Sequence, residues 1–228
     1  YFYQLGVSMG IDLIHSSLLE FGFGQPSGIE LPGEQDGLIP SKAWKKAHHQ
    51  EPWYIGDTII SSIGQGAMLT TPLQLANATA TLANHGKHFQ PHLIKKITFT
   101  DGTEQVSQPI LINTIDIDEK HWNTITNATT DTAKYGTCRR LGQGPYKVAC
   151  KTGTAQVITN TKSKKNQAKN LNDHSLIIAF APPKKPEIAV AVIIENEHSA
   201  IHVTKQILDD YFIHNKQDTD HEPNHTLA

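Results

Sequence analysis

Lys151, Thr152, Gly153 and Thr154 form the most chemically suggestive stretch of the sequence, directly after the β-rich run at 146–150. Alternate residues of a strand point to the same face, so Thr152 and Thr154 share a face, and Gly153 leaves room for a ligand or another backbone. A cation, two hydroxyls and backbone N–H groups at a strand edge can bind a carboxylate and stabilise an acyl oxyanion. The alternative is a surface strand whose Lys and Thr side chains face solvent.

The histidines and a second glycine pair give weaker indications of chemistry. The sequence has 13 histidines, but only His48 and His49 are adjacent, and neither H-E-x-x-H nor C-x-x-C occurs. Those patterns are typical of zinc sites, so we predict no metal site and expect these two residues and His121 at the surface. Gly64–Gly66 is not a dinucleotide fingerprint, because Leu69 stands where the third glycine of G-x-G-x-x-G belongs.

Two further pairs of residues are interpreted as structural. Asp57 and Thr58 follow a glycine, and a Gly-Asp-Thr turn predicts hydrogen bonds that organise a loop. Trp44 and Trp53 are expected to anchor packing rather than to bind a ligand. Neither pair is assigned to a catalytic site.

The two cysteines are too few for a disulfide framework. Cys138 and Cys150 can pair if the protein works in an oxidising compartment. Two buried free thiols are the alternative, because free cysteine is among the most buried residue types. The sequence leaves both states open.

The overall composition excludes several classes of function. Among 228 residues, 20 Lys and Arg nearly balance 22 Asp and Glu, and the net charge of -2 gives no field for collecting nucleic acid. We therefore expect no nucleic-acid partner.

The longest apolar run, Ile188–Ile194, is far shorter than the roughly 20 residues that cross a bilayer. Tyr1 opens a stretch that is typical of a helix interior without a cap, so we expect a longer chain upstream.

Hydrophobic periodicity predicts four helices and four short strands. The helices are expected at about 1–21, 72–84, 118–132 and 202–214. The strands are expected at 146–150, 154–158, 176–181 and 188–194. Thr71 as N-cap and Pro72 at the first helical position predict the start of the second helix. Helices before and after a run of antiparallel strands predict an α+β domain, an antiparallel sheet flanked by helices.

Three segments lack this periodicity. Residues 33–63 are rich in turn-forming residues and are interpreted as an ordered surface loop. Residues 160–173 contain four lysines and few apolar residues, which predicts a solvated loop between strands. Residues 214–228 are polar and predict a disordered tail, so that the folded domain portion is expected at 1–213.

Several sequence blocks occur together in the order found in one family of enzymes. They are G-F-G at 22–24, S-G-I-E-L-P at 27–32, W-Y-I-G-D-T-I at 53–59, I-G-Q-G at 63–66, T-P-L-Q-L-A at 71–76 and K-T-G-T-A-Q-V at 151–157. Over residues 1–213 they resemble the transpeptidase domain of class B high-molecular-mass penicillin-binding proteins, of the elongation type more than the division type. The resemblance implies the penicillin-binding transpeptidase fold, which is serine β-lactamase-like, here incomplete at its N-terminus.

The resemblance implies a reaction and a set of residue roles. In this family a serine attacks the D-Ala-D-Ala carbonyl of a peptidoglycan stem peptide, and an amine of a second stem peptide resolves the acyl-enzyme. Lys151 would hydrogen-bond a serine of the second family motif, and Thr152 and Thr154 would bind the terminal carboxylate. The Thr154 N–H would be one oxyanion-hole donor. Gly153 would give clearance, and Gln156 would line the substrate-binding strand.

The sequence departs from the family pattern in its other catalytic motifs. No serine is followed three residues later by lysine, and Ser163-Lys164-Lys165, the nearest in appearance, has the wrong spacing. The second motif, S-x-N or S-x-D, precedes an aromatic run in the family, and here that run opens the chain at Tyr1–Gln4. We therefore expect the chain to begin just past the second motif and to be inactive alone.

The resemblance also implies partners and a location for an intact protein. The partners are peptidoglycan stem peptides, β-lactam antibiotics and a membrane glycosyltransferase of the elongation machinery, and no cofactor is implied. The location is the periplasmic face of the inner membrane, with an N-terminal anchoring helix. Two alternatives stay open: a serine β-lactamase or D,D-carboxypeptidase of the same superfamily, and a non-catalytic β-lactam sensor or inactive paralogue.

Overall fold

The computed structural model describes residues 1–156 and 172–214. The chain divides into two compact units, Tyr1–Trp122 and Asn123–Ala228. Within the described ranges, no helix is both long and apolar enough to cross a lipid bilayer. The predicted loop at 160–173, except its last two residues, and the predicted tail beyond residue 214 lie outside the described residues.

The first unit combines helices with two small antiparallel sheets of two strands each. Its helices are α1 (Phe2–Glu20), α2 (Lys42–His49), α3 (Ile55–Ser61) and α4 (Pro72–Ala83). Its strands are β1 (Lys87–Phe89), β2 (Lys96–Thr98), β3 (Glu104–Val106) and β4 (Leu111–Thr114). β1 pairs with β4 and β2 pairs with β3, both antiparallel.

The first two predicted helices of this unit are confirmed. α1 covers most of the predicted stretch, but Gly10, with φ of 73°, interrupts its regular geometry. α4 begins as the sequence predicts, with Thr71 as N-cap and Pro72 at its first position, and Asn84 caps its C-terminus. The Thr71 hydroxyl accepts a hydrogen bond from the backbone N–H of Gln74 at 3.1 Å. This cap satisfies a donor that the helix itself leaves unpaired.

Gln74 ties three parts of the first unit together. Its side chain is 1% exposed, and its amide nitrogen donates to the carbonyl oxygens of Gln25 at 2.9 Å and Asp36 at 2.7 Å. Its amide oxygen accepts from the backbone N–H of Thr71 at 3.0 Å. Because each bond replaces one that water supplies in the unfolded chain, a fully paired amide is tolerated in this interior.

The prediction that residues 33–63 form one surface loop is wrong. The segment contains α2 and α3, which have eight and seven residues. The Ser41 hydroxyl caps α2 by accepting from the N–H of Trp44 at 3.1 Å, and Gln50 ends it in the left-handed conformation. Helices this short are too short to show a clear hydrophobic period and are only marginally stable on their own. They form here because side-chain caps and tertiary packing stabilise them.

The second unit holds a three-stranded antiparallel sheet covered by helices. Its elements are α5 (Glu119–Tyr135), most of which belongs to this unit, a 3-10 turn (Leu141–Gln143), β5 (Ala149–Ala155), β6 (His174–Ala181), β7 (Ile188–Ile194), α6 (Ala200–Asp209) and a π-helical turn (Asp210–His214). The strand order is β5-β6-β7. The third and fourth predicted helices and the last two predicted strands are therefore confirmed, and so is the antiparallel sheet flanked by helices.

The core of this unit lies against the sheet. Its least exposed members are Cys138, Leu141, Val148, Cys150, Ile177, Ala179, Ala181, Ala200 and Leu208. β6 contributes three of them because it is the central strand and is covered on both faces. Its neighbours β5 and β7 are held by hydrogen bonding to this buried strand.

The prediction of two separate strands at 146–150 and 154–158 is wrong. A single strand, β5, runs from Ala149 to Ala155 and pairs with β6 along its whole length. The polar run from Lys151 to Thr154 continues the ladder, since backbone pairing does not depend on side-chain polarity. Val157 and Ile158 lie outside the described residues.

Replacing Gln74 by leucine will test the role of its amide. The variant keeps the side chain's approximate size but leaves the Gln25 and Asp36 carbonyls and the Thr71 N–H without their partners. We expect a loss of about 2–4 kcal/mol in the free energy of unfolding, measured by urea titration of the protein. The exposed Gln108 provides the control, and Gln108→Leu is expected to change stability by less than about 0.5 kcal/mol. Equal losses for the two variants would contradict the assignment.

Candidate active site on strand β5

The predicted site residues lie on an edge strand of the second unit. In the ladder with β6, Lys151 is opposite Ile178, Thr152 opposite Ile177, and Thr154 opposite Ser175. Within residues 1–156 and 172–214, no strand pairs with the other edge of β5. Such an edge can add an extended ligand by backbone hydrogen bonding.

The side chains of this run occupy the two faces of β5 alternately. Lys151 and Thr154 are exposed and Thr152 is half-buried. Thr152 and Thr154 share their face with Cys150, as the strand period requires. The Lys151 Nζ donates to the carbonyl oxygen of Thr152 at 2.7 Å, so its ammonium lies over the strand backbone. One short stretch thus presents a cation and two hydroxyls, as the sequence predicts.

Gly153 is not required by packing within the described fold. A Cβ added at this position would lie 3.5 Å from the Cβ of Leu176, an ordinary contact. Its backbone has no positive φ that would favour glycine. The fold therefore has room for a small side chain at this position, and the role of Gly153 in giving clearance to a ligand stays a prediction.

Gln156 follows the last residue of β5 and is exposed. It lies one residue beyond Ala155, at the end of the described segment that carries the site. The structure places it on the same stretch of chain as Lys151, Thr152, Gly153 and Thr154. Its substrate-binding role stays a prediction, as do the roles of those four residues.

Threonines after and within α5 brace this strand, and sequence reasoning missed them. The Thr152 hydroxyl donates to the hydroxyl oxygen of Thr137 at 2.9 Å. The Thr132 hydroxyl donates to the carbonyl oxygen of Cys150. Both partners are at least 15 positions away along the chain, so no local pattern could have indicated them. The end of α5 and the residues just after it therefore hold β5 in place at Cys150 and at Thr152.

Cys138 and Cys150 lie together beside the site residues. Both are free thiols, 0% and 2% exposed. The S–H of Cys150 donates a hydrogen bond to the Cys138 sulfur, which lowers the pKa of the Cys138 thiol although burial opposes this. The same hydrogen bond, together with burial, raises the pKa of Cys150. Cys138 is therefore the more acidic thiol of the pair.

The prediction of a Gly-Asp-Thr turn is wrong, because Gly56, Asp57 and Thr58 lie inside α3. Asp57 and Thr58 nevertheless make structural hydrogen bonds, as the sequence predicts. Asp57 Oδ2 lies 2.5 Å from the Nζ of Lys45 and accepts from the backbone N–H of Tyr54 at 2.8 Å. The Trp53 indole N–H donates to the Thr58 hydroxyl at 2.8 Å. Burial disfavours the Asp57 carboxylate, but the bonds from Lys45 and Tyr54 outweigh it and lower the pKa of Asp57.

The histidines of α2 pack on an aromatic ring. The rings of His48 and His49 lie 5.4 and 5.2 Å from that of Trp44, and both histidines are exposed, as is His121. In the described part of the chain, no three His, Cys, Asp or Glu side chains are grouped closely enough to hold a metal ion. Trp44 is thus a packing partner, as the sequence predicts.

A profile of the penicillin-binding protein transpeptidase domain matches residues 1–212. Together with the three-stranded sheet and its K-T-G edge strand, this match defines the class: the chain belongs to the penicillin-binding protein transpeptidase family. Within the family it is similar to the peptidoglycan D,D-transpeptidase MrdA of Acinetobacter baumannii, with 40% identity over a 238-residue alignment. That alignment covers 100% of this chain and 35% of the relative.

Solved structures give the same grouping. Penicillin-binding protein 2 of Pseudomonas aeruginosa, in complex with WCK 5153, has 39% identity and a TM-score of 0.78, over 93% of this chain and 46% of that one. Penicillin-binding protein 2 of Helicobacter pylori, in complex with MreC, has 28% identity and a TM-score of 0.74, over 92% and 38%. The predicted fold is thereby confirmed, and the chain spans about a third of the length of its curated relatives.

The Lys45–Asp57 pair predicts a pH-dependent stability. Because the pKa of Asp57 is lowered by folding, the pair stabilises the protein above the ordinary Asp pKa, and this stability is lost as pH falls through the lowered value. We expect Asp57→Asn to lose about 1–3 kcal/mol near pH 7, with the difference from wild type shrinking below about pH 4. Urea unfolding at several pH values measures this.

The control is the exposed pair of Asp12 and Lys42, whose side chains are 71% and 60% exposed. Asp12→Asn is expected to cost less than about 1 kcal/mol at any pH, because water screens this pair. A loss for Asp57→Asn that is as small as the control, or one that does not change with pH, would contradict the role of the pair.

Proposed function

We propose that this chain contributes the K-T-G wall of the active site of a peptidoglycan D,D-transpeptidase that cross-links stem peptides during cell elongation. The observation that carries the proposal is β5: an edge strand that carries a lysine, two threonines and, between the threonines, a glycine that packing does not require. Membership of the transpeptidase family supports it, as do relatives named peptidoglycan D,D-transpeptidase.

The proposed reaction is an acyl transfer through serine. The serine hydroxyl attacks the carbonyl of the penultimate D-Ala, and the terminal D-Ala leaves as the amine component. An amino group of a second stem peptide then attacks the ester and releases the serine. This chain contains no S-x-x-K, so the nucleophile and its lysine have to come from another part of a longer protein.

The residues of β5 would serve this reaction by binding the negatively charged groups of the substrate and of the reaction intermediate. The hydroxyls of Thr152 and Thr154 share a face of β5 and would bind the substrate's terminal carboxylate. The Thr154 N–H would donate to the oxyanion that forms at the attacked carbonyl. Lys151 would hydrogen-bond the serine of the second motif and add positive potential. Its Nζ donates to the Thr152 carbonyl oxygen at 2.7 Å, which holds the ammonium beside the strand that carries the threonines.

The same geometry would also bind a β-lactam. A β-lactam carries a carboxylate and a strained amide carbonyl at the spacing of the D-Ala-D-Ala end, so the two threonines and the Thr154 N–H would bind both molecules alike. The β-lactam leaves an acyl-enzyme that the second stem peptide does not resolve.

The partner and the location follow from the proposed reaction. Cross-linking needs glycan strands, so we propose a membrane glycosyltransferase of the elongation machinery as partner, at the periplasmic face of the inner membrane. Two solved relatives support this: the complex of penicillin-binding protein 2 with MreC and a peptidoglycan synthase complex that coordinates polymerization and crosslinking. The membrane anchor would lie in a longer protein.

Substituting Lys151 by alanine in a longer protein that contains this chain and its S-x-x-K motif tests the proposal. The acylation rate by fluorescent penicillin is expected to fall by roughly 10²–10⁴-fold, because the cation that organises the second-motif serine is lost. Lys147→Ala removes an exposed lysine four positions earlier and is expected to leave the rate unchanged. Near-normal acylation of Lys151→Ala would remove this residue from the site.

Rapid hydrolysis of a chromogenic cephalosporin by the wild type would favour a β-lactamase instead.

The 228-residue chain itself provides a second test. Since no serine in it has a lysine three residues later, fluorescent penicillin is expected to leave no covalent band on it after denaturing electrophoresis. The longer protein, carrying S-x-x-K, is the positive control. A covalent band on the 228-residue chain would show that the nucleophile lies within it.

A further inference from the structure

The two cysteines of the chain are brought side by side at the base of the candidate site. Cys138 lies three residues beyond the end of α5, and Cys150 is the second residue of β5. Both belong to the buried core of the second unit. Cys150 directly precedes Lys151, so whatever holds Cys150 also holds the start of the site strand.

Backbone and side-chain contacts to one residue hold these two cysteines close together. Thr132 bridges them: its carbonyl oxygen accepts from the N–H of Cys138 at 3.1 Å, and its hydroxyl lies 3.5 Å from the Cys150 sulfur. The adjacent positions are joined as well, by the 2.9 Å hydrogen bond between Thr137 and Thr152. Thr132 is therefore a direct neighbour of both cysteines.

We infer that Cys138 and Cys150 form a disulfide that ties β5 to the segment following α5. The inference rests on the proposed function in one respect: cross-linking of peptidoglycan takes place outside the reducing cytosol, where disulfides form and persist. The bond would close a short loop, 138–150, whose two ends the native hydrogen bonds already hold together.

The bond forms by thiol–disulfide exchange with a disulfide-bearing oxidant, either a small disulfide or a protein thiol oxidase. The Cys138 thiolate attacks one sulfur of the oxidant and displaces its other sulfur as a thiolate. Cys150 then loses its proton to solvent, and its sulfur attacks that of Cys138 and releases the second thiolate. Two thiols have lost two electrons and two protons, and the oxidant disulfide has become two thiols.

Burial determines when this exchange occurs and what the bond does. With exposures of 0% and 2%, the thiols meet an oxidant while the segment folds, and afterwards the bond is shielded from reductants until the protein begins to unfold. β5 has a strand neighbour on one edge only, within the described residues. A covalent tie at Cys150 would limit fraying of this edge strand and keep Thr152 beside Thr137.

Tryptic mapping tests the inference on the native sequence. A longer protein that contains this chain is produced with an added export signal, alkylated with iodoacetamide at lysis, and digested without reductant. Trypsin cuts after Lys134, Arg139, Lys147 and Lys151, so only a disulfide can join the peptides Tyr135–Arg139 and Val148–Lys151. We expect the joined pair in the mass spectrum and its separation on reduction. The two peptides recovered separately, each alkylated at its cysteine, would overturn the inference.

Thermal unfolding with and without reductant gives the matched control. Reduction is expected to lower the melting temperature of the wild type by roughly 5–10 °C, since a short closed loop is released. Cys138→Ala and Cys150→Ala each remove the bond, so their melting temperatures are expected not to respond to reductant. An equal response of wild type and variants would overturn the inference.

Labelling the same preparation with fluorescent penicillin separates this inference from the proposed function. A labelled protein without the joined peptides overturns only the disulfide. A protein with the joined peptides that penicillin does not label overturns only the transpeptidase proposal.

Discussion

The pairing of β5 with the buried strand β6 is the constraint on which the candidate site depends. Because side chains alternate along a strand, a slip of one residue would move Thr152 and Thr154 to the opposite face and exchange them for Lys151 and Gly153. The register is set by β6, whose residues Ile177, Ala179 and Ala181 are 1% exposed or less and have no alternative position in the core. A polar strand thus takes its position from an apolar neighbour.

Hydrogen bonds from polar side chains stabilise each unit in addition to the pairing of its strands. Thr132 and Thr137 hold β5 from the side of α5, and Gln74 joins the loops around Gln25 and Asp36 in the first unit. Each bond spans at least 15 positions along the chain, and the bonds of Thr132 and Gln74 are partly shielded from water. Bonds of this kind cost little when all partners are paired and much when one is removed. They therefore favour one loop conformation over its alternatives.

The sequence predicts best those elements whose position depends on interactions between residues close together in the chain. The start of α4 follows from Thr71 and Pro72, and β6 and β7 follow from their apolar runs, because caps and burial act over a few residues. The helices at 42–49 and 55–61 are missed, because each is too short to show a period and is stabilised by caps and by the Lys45–Asp57 pair. The K-T-G stretch is found by its residue types, but its continuity as one strand depends on β6, which is distant in the sequence.

The central claim is that the β5 edge recognises an acyl donor that bears a carboxylate. A crystal structure of a longer protein that contains this chain and its S-x-x-K motif, acylated by a penicillin, tests this most directly. We expect the penicillin carboxylate within hydrogen-bonding distance of the Thr152 and Thr154 hydroxyls, with the ester carbonyl oxygen accepting from the Thr154 N–H. A penicillin bound elsewhere, or one whose carboxylate contacts neither threonine, would contradict it.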